Sequence, residues 1–97
     1  MEKRNERSEK IGNCLRVWAE YRVEDLLQLQ FNVDRMHDAM GHDASIVKRY
    51  ADMTTPFPSI KIRKVPEGMW VTDGGHRLAA AHMRGDEWIP TLELPCE

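Results

Sequence analysis

The sequence predicts a small α/β domain of the α+β kind, a mixed sheet with helices packed against it. Three observations lead there: a period-two alternation over residues 15–23, two short amphipathic helical stripes over 32–51, and a β-turn-β-α-β order in the second half. Ninety-seven residues suit one domain. A chain of this size buries roughly 65% of its unfolded surface, so one modest core is feasible.

Residues 1–12 read as a charged, flexible arm, and residues 13–97 as the domain. MEKRNERSEK holds seven charges of both signs and no apolar periodicity, and it ends near Gly12-Asn13. From Leu15, the residues Val17, Ala19, Tyr21 and Val23 share one side, and Arg16, Trp18, Glu20 and Arg22 share the other. That pattern is a strand covered on one face. Trp18 on the wetter face marks a contact with the arm or with a partner.

Asn32 is placed to cap a helix whose stripe is Val33, Met36 and Met40, with Gly41 as its end. Asp43 is placed to cap a second helix with Ile46, Val47, Tyr50 and Ala51 on one face. The two prolines of Thr54–Pro58 then break the helix. Ile60 to Val65 is a β-branched strand, Pro66-Glu67-Gly68 a tight turn, and Met69 to Thr72 the returning strand. Asp73 is placed to cap a helix over 74–84, with three alanines inside and Gly85 as its stop. Trp88 to Leu94 is the last strand, and Pro90 places it at an edge or near its start.

Charge excludes some functions. Fourteen Lys and Arg against sixteen Asp and Glu leave a net charge of −2. Bulk attraction for duplex DNA is absent, although a local basic site is compatible with that balance. No apolar run approaches the ~20 residues of a membrane span, and the N-terminus lacks a signal-peptide core. Cys14 and Cys96 form no zinc spacing, and a reduced cytoplasmic setting is the default expectation.

One segment carries chemistry: Val71-Thr72-Asp73-Gly74-Gly75-His76-Arg77. A strand runs into two glycines and then a helix, where free N–H groups and the dipole favour an anion. Gly74 and Gly75 would let a phosphate approach those amides. His76 adds a donor and Arg77 a bidentate fork. In the plainer reading, Asp73 caps the helix, the glycines make a turn, and Arg77 pairs with an acidic neighbour.

DGGHRLAAA, followed by Gly85 and Ile89-Pro90, resembles the ParB/sulfiredoxin-like superfamily. The stretches 43–51 and 57–60 look like its helix and first hairpin strand, so the similarity covers roughly residues 20–94. The resemblance implies that the Gly-x-x-Arg segment opens a helix and cradles nucleotide phosphates. Gly74 and Arg77 match the Gly and last Arg of the partition-protein segment, while Gly75 and His76 replace the residues between. Against the sulfiredoxin pattern, Gly74, His76 and Arg77 match, and Gly75 stands where the nucleophilic cysteine would be. That argues against sulfinic-acid reduction.

The Asp-Gly-x-His-Arg variants of phages, plasmids and DNA-modification systems fit better. No helix-turn-helix follows the segment within these residues, so operator reading is not implied.

The resemblance implies Gly74, Gly75, His76 and Arg77 as the phosphate cradle, and a nucleoside triphosphate (CTP or ATP), with or without Mg²⁺, as ligand. Asp73 and Arg77 are the catalytic candidates if the chain is a nuclease or NTPase; Asp43 and Glu24 are less secure bases. The alternative reading is a protein-binding inhibitor or adaptor that keeps the scaffold without catalysis. Expected partners are thus a nucleotide, a protein, or DNA held by something other than bulk charge, and no membrane.

His37, His42, Asp38 and Asp43 do not share a helix face, so no metal site is expected there. His42-Asp43 could sit beside the cradle. His82, six residues beyond His76, falls on another helix face and reads as a surface residue. Arg84 and Lys48 sit where a helix C-terminus favours cations.

Overall fold

The computed structural model describes residues 1–93. Leu94, the expected end of the last strand, and Cys96 lie outside the described residues. The elements run β1 (Lys3–Ile11), β2 (Cys14–Arg22), α1 (Val23–Leu26), α2 (Gln30–His42), α3 (Ala44–Ala51), β3 (Ile60–Val65), β4 (Gly68–Asp73), α4 (Gly75–Arg84) and β5 (Trp88–Glu93). The five strands form one mixed sheet in the order β1-β2-β5-β3-β4. Among the described residues, only β3 and β5 pair in parallel. The molecule is therefore an α+β domain with a five-stranded mixed sheet, as its pattern of elements predicts.

The flexible arm expected over 1–12 is corrected. Lys3–Ile11 is an edge strand, paired antiparallel with β2 through a two-residue turn at Gly12-Asn13. Gly12 has φ +61°, the left-handed value that such hairpin turns require. All nine residues of β1 are exposed, so no face of it shows periodicity. Its dense charge suits an edge strand, because charge discourages further pairing.

Pro90 is also placed differently from one expectation. β5 lies in the middle of the sheet, not at its edge. Pro90 is the third residue of β5, and pairing with β3 begins only at Thr91, opposite Ile60. Near its start, β5 has one neighbour, so the missing N–H of proline is tolerated there.

The alternation in β2 holds from Val17: Ala19 and Tyr21 are buried, and Val23 follows them into the core. Leu26, Val47, Ile60, Val71, Leu78 and Ile89 are its most enclosed side chains. Ala79, Ala80 and Ala81 are fully buried, and their small side chains let α4 pack closely against α2 and α3. Gly85 (φ +74°) ends α4 in a Schellman arrangement, with Asp86 N–H donating to Ala81 O and Gly85 N–H to His82 O. Arg84 pairs with Asp86, donates to Met53 O at 3.1 Å and lies over Phe57, tying α4 to the end of α3.

Three caps differ from the sequence expectation. Asn32 lies inside α2, fully buried. Its Nδ2 donates to Leu26 O (2.7 Å) and Met69 O (2.8 Å), and its Oδ1 accepts from Val71 N–H (2.8 Å). Gly41 does not stop α2, which continues through His42. Asp73 ends β4, and Gly74 occupies the cap position of α4; Asp43 does occupy the cap position of α3, as expected, although its side chain makes no cap bond.

Among the described residues, no helix is long and apolar enough to cross a membrane. Cys14, at the start of β2, is disulfide-bonded, so the expected reduced setting gains no support from it.

Candidate functional site

α2, the α2–α3 junction and the start of α4 enclose a cavity of about 400 Å³. Its floor is the turn from β4 into α4, with Asp73, Gly74, Gly75 and His76. Its wall is α2, where Asp34, Arg35, Asp38 and His42 fall at helical spacing on one side. Four of the five sequence-predicted site residues thus line one cavity. His42 and Asp43 stand beside them, while His37 is exposed and outside it.

The glycines are explained by packing. Gly74 has φ +127°, and a Cβ there would stand 2.5 Å from Ile60 Cγ2. A Cβ on Gly75 would stand 3.1 Å from Arg35 Cγ and 3.2 Å from Arg35 O. The space at both positions is therefore taken by protein, not left for a ligand. Gly75 lets α2 and α4 approach closely, and this contact brings Arg35 to the first turn of α4.

That first turn carries unclaimed donors. The first intrahelical bond at this end runs from Leu78 N–H to Gly74 O, and among the described residues no side chain caps the helix. The N–H groups of Gly75, His76 and Arg77 thus have no acceptor within the helix. The dipole adds partial positive charge at the same end.

His76 Nε2–H donates to Asp43 Oδ2 at 3.0 Å. Asp43 can do this because its backbone joins α2 to α3: its carbonyl accepts from Ile46 and Val47, leaving the carboxylate unused in capping. The pair is half-exposed, with side chains 36% and 47% accessible. It orients the imidazole, and it adds little to stability at that exposure.

Arg77 goes elsewhere. Its Nη1 donates to Ser59 O (2.9 Å) and Pro58 O (3.2 Å), and Nη2 stands 4.0 Å from Asp73 Oδ1. The side chain is 16% accessible and does not line the cavity. Its guanidinium holds the segment before β3 onto α4, where the sequence reading had it forking a phosphate. The cation at the cavity is Arg35, which the sequence reading missed. Its Nε is buried without a hydrogen-bond partner, and its guanidinium carbon lies 5.2 Å from the centre of the Phe31 ring. Phe31 in turn stacks on Trp70, with centroids 4.7 Å apart. The readable signal was the polar spacing of Arg35, Asp38 and His42, at i, i+3 and i+7.

The charges are mixed. Asp34, Asp38, Asp43 and Asp73 line the cavity with Arg35 and two histidines. A bare anion would meet these carboxylates; an anion carrying a divalent cation would be matched by them. Among the described residues, no three His, Cys, Asp or Glu side chains are placed to hold a metal by themselves. Mg²⁺ is usually shared between one or two carboxylates and phosphate oxygens, and that division fits these walls.

No protein-family model, curated protein or solved structure matches this chain.

Proposed function

We propose that this chain is a nucleotide- or phosphate-binding module of the ParB/sulfiredoxin-like kind, from a phage or plasmid, and that it takes a nucleoside triphosphate (CTP or ATP) with Mg²⁺. The observation that carries this reading is the uncapped first turn of α4 at a cavity of about 400 Å³. That volume is within the range of small-ligand sites. Phosphate oxygens would meet the N–H groups of Gly75, His76 and Arg77, with Arg35 as the fork and His76 as a further donor. The cation would be shared between those oxygens and the cavity's carboxylates.

Calorimetry with CTP, ATP, GTP and ADP, each with Mg²⁺, tests this reading on wild type and Arg35→Ala. A saturable heat with at least one nucleotide, strongly weakened in Arg35→Ala, supports it. No heat with any of the four overturns it. Asp73 lines the same cavity, so metal-dependent phosphate release that is lost in Asp73→Asn would extend the reading from binding to hydrolysis.

A further inference from the structure

Two histidines line the helix-side cavity, and they differ in how they are held. His76 Nε2–H donates to Asp43 Oδ2 at 3.0 Å, so the neutral ring keeps its lone pair on Nδ1. Nδ1 has no hydrogen-bond partner among the described residues. His42 has no orienting carboxylate among them. An imidazole with one nitrogen fixed by a carboxylate and the other left open is the arrangement of a general base.

The position of His76 in the chain adds to this. It is the second residue of α4, and its own backbone N–H is one of the unclaimed donors of the first turn. Covalent geometry therefore keeps the imidazole beside any phosphate docked there. The pair is half-exposed and adds little to stability, so the fold does not require it. Carboxylates also line the cavity, but a base works best when its proton affinity matches the working pH. Near neutrality that favours imidazole. With Asp43 engaged by His76, Asp34, Asp38 and Asp73 remain for a cation.

We infer that His76 is the general base for hydrolysis of a nucleoside triphosphate in this cavity, and that Asp43 is its positioning residue. The inference rests on the nucleotide reading above and assigns the proton acceptor within it. A water oxygen bonds to the terminal phosphorus while the bridging P–O bond breaks. The electron pair of that bond leaves with the nucleoside diphosphate. One water proton passes to Nδ1, and the N–H so formed donates to the released phosphate before returning its proton to solvent. Asp43 fixes the tautomer and faces the imidazolium as it forms. The N–H groups of the first turn and Arg35 meet the charge on the phosphoryl oxygens.

NMR of the imidazole nitrogens, on the ligand-free full chain with the ring neutral, should show His76 protonated at Nε2 and bare at Nδ1. The opposite tautomer overturns the inference. Phosphate release from CTP or ATP with Mg²⁺ is then compared among variants, with calorimetry alongside. His76→Ala should lower kcat about 100-fold, the low end of what a positioned base supplies, and weaken binding far less. Added imidazole should recover part of the lost rate, which a merely structural role would not allow. Asp43→Asn should lower kcat about tenfold or more with KM unchanged. His37→Ala, exposed and outside the cavity, should match wild type.

Wild-type hydrolysis in His76→Ala, or a loss carried wholly by KM, overturns the inference and leaves the binding reading standing. Nucleotide binding without phosphate release does the same. Absence of binding to any nucleotide overturns both.

Discussion

Asn32→Ala is the substitution whose cost follows most directly from this fold. Asn32 is fully buried, and its amide makes all three bonds that the geometry offers. Met69 and Val71 belong to β4, an edge strand, and Asn32 occupies the place that a further strand would take against it. The amide orientation is fixed by its partners, since a flipped group would set oxygen against two carbonyls. At about 1 kcal/mol net per hydrogen bond, losing three costs about 3 kcal/mol, and more if the orphaned backbone groups stay dry.

For a domain of this size that corresponds to a fall of roughly 12–24 °C in melting temperature. Urea denaturation followed by tryptophan fluorescence measures it, with the slope of the transition expected to stay the same. A loss below about 1 kcal/mol would refute the reasoning, because it would mean that the three bonds are replaced by water. The substitution also matters for the site. Asn32 anchors the start of α2, the helix that carries Arg35, Asp38 and His42 to the cavity wall.

Other substitutions separate packing from binding. Gly74→Ala should cost about 3 kcal/mol or more in the same denaturation assay, combining a positive-φ penalty with a clash against Ile60; near-neutrality would mean that the turn re-forms. Arg77→Ala should destabilise by about 1–3 kcal/mol, since Pro58 and Ser59 lose their donor. Its effect on nucleotide affinity should be smaller than that of Arg35→Ala, and the reverse order by calorimetry would return Arg77 to the phosphate. Burial raises the Tyr21 phenol above its ordinary pKa of 10.0. With the folded value raised, stability is intact below that pH and falls as pH rises from it through the folded value. Tyr21→Phe should remove that alkaline slope, and an unchanged slope would assign it to another group.

Most of the second half of the fold was legible because its local signals agreed with the tertiary result, the Asp73 cap and the edge reading of Pro90 excepted. The β-branched run at 60–65, the Pro66-Glu67-Gly68 turn and the stop at Gly85 all act within a few residues. Gly12-Asn13 was an equally local hairpin signal, but β1 has two wet faces and so no alternation to support it. Asn32 looked like a cap because its long-range partners, Met69 and Val71, are invisible in a local window. The same limit explains the cation at the site. His76, Gly75 and Asp73 are contiguous in sequence and stay together at the cavity, whereas Arg35 reaches it only because Gly75 lets two helices touch. Arg77 was assigned by proximity in sequence, yet its direction is set by two carbonyls in the segment before β3.

The central claim is that phosphate groups dock on the first turn of α4. Amide chemical shifts of Gly75 and His76, followed by NMR while CTP or ATP with Mg²⁺ is added, test it most directly. The account predicts that both amides shift and saturate together in wild type, and that Arg35→Ala requires more ligand for the same shifts. Saturable binding that leaves both amides unmoved, with the shifts gathered elsewhere, would contradict it.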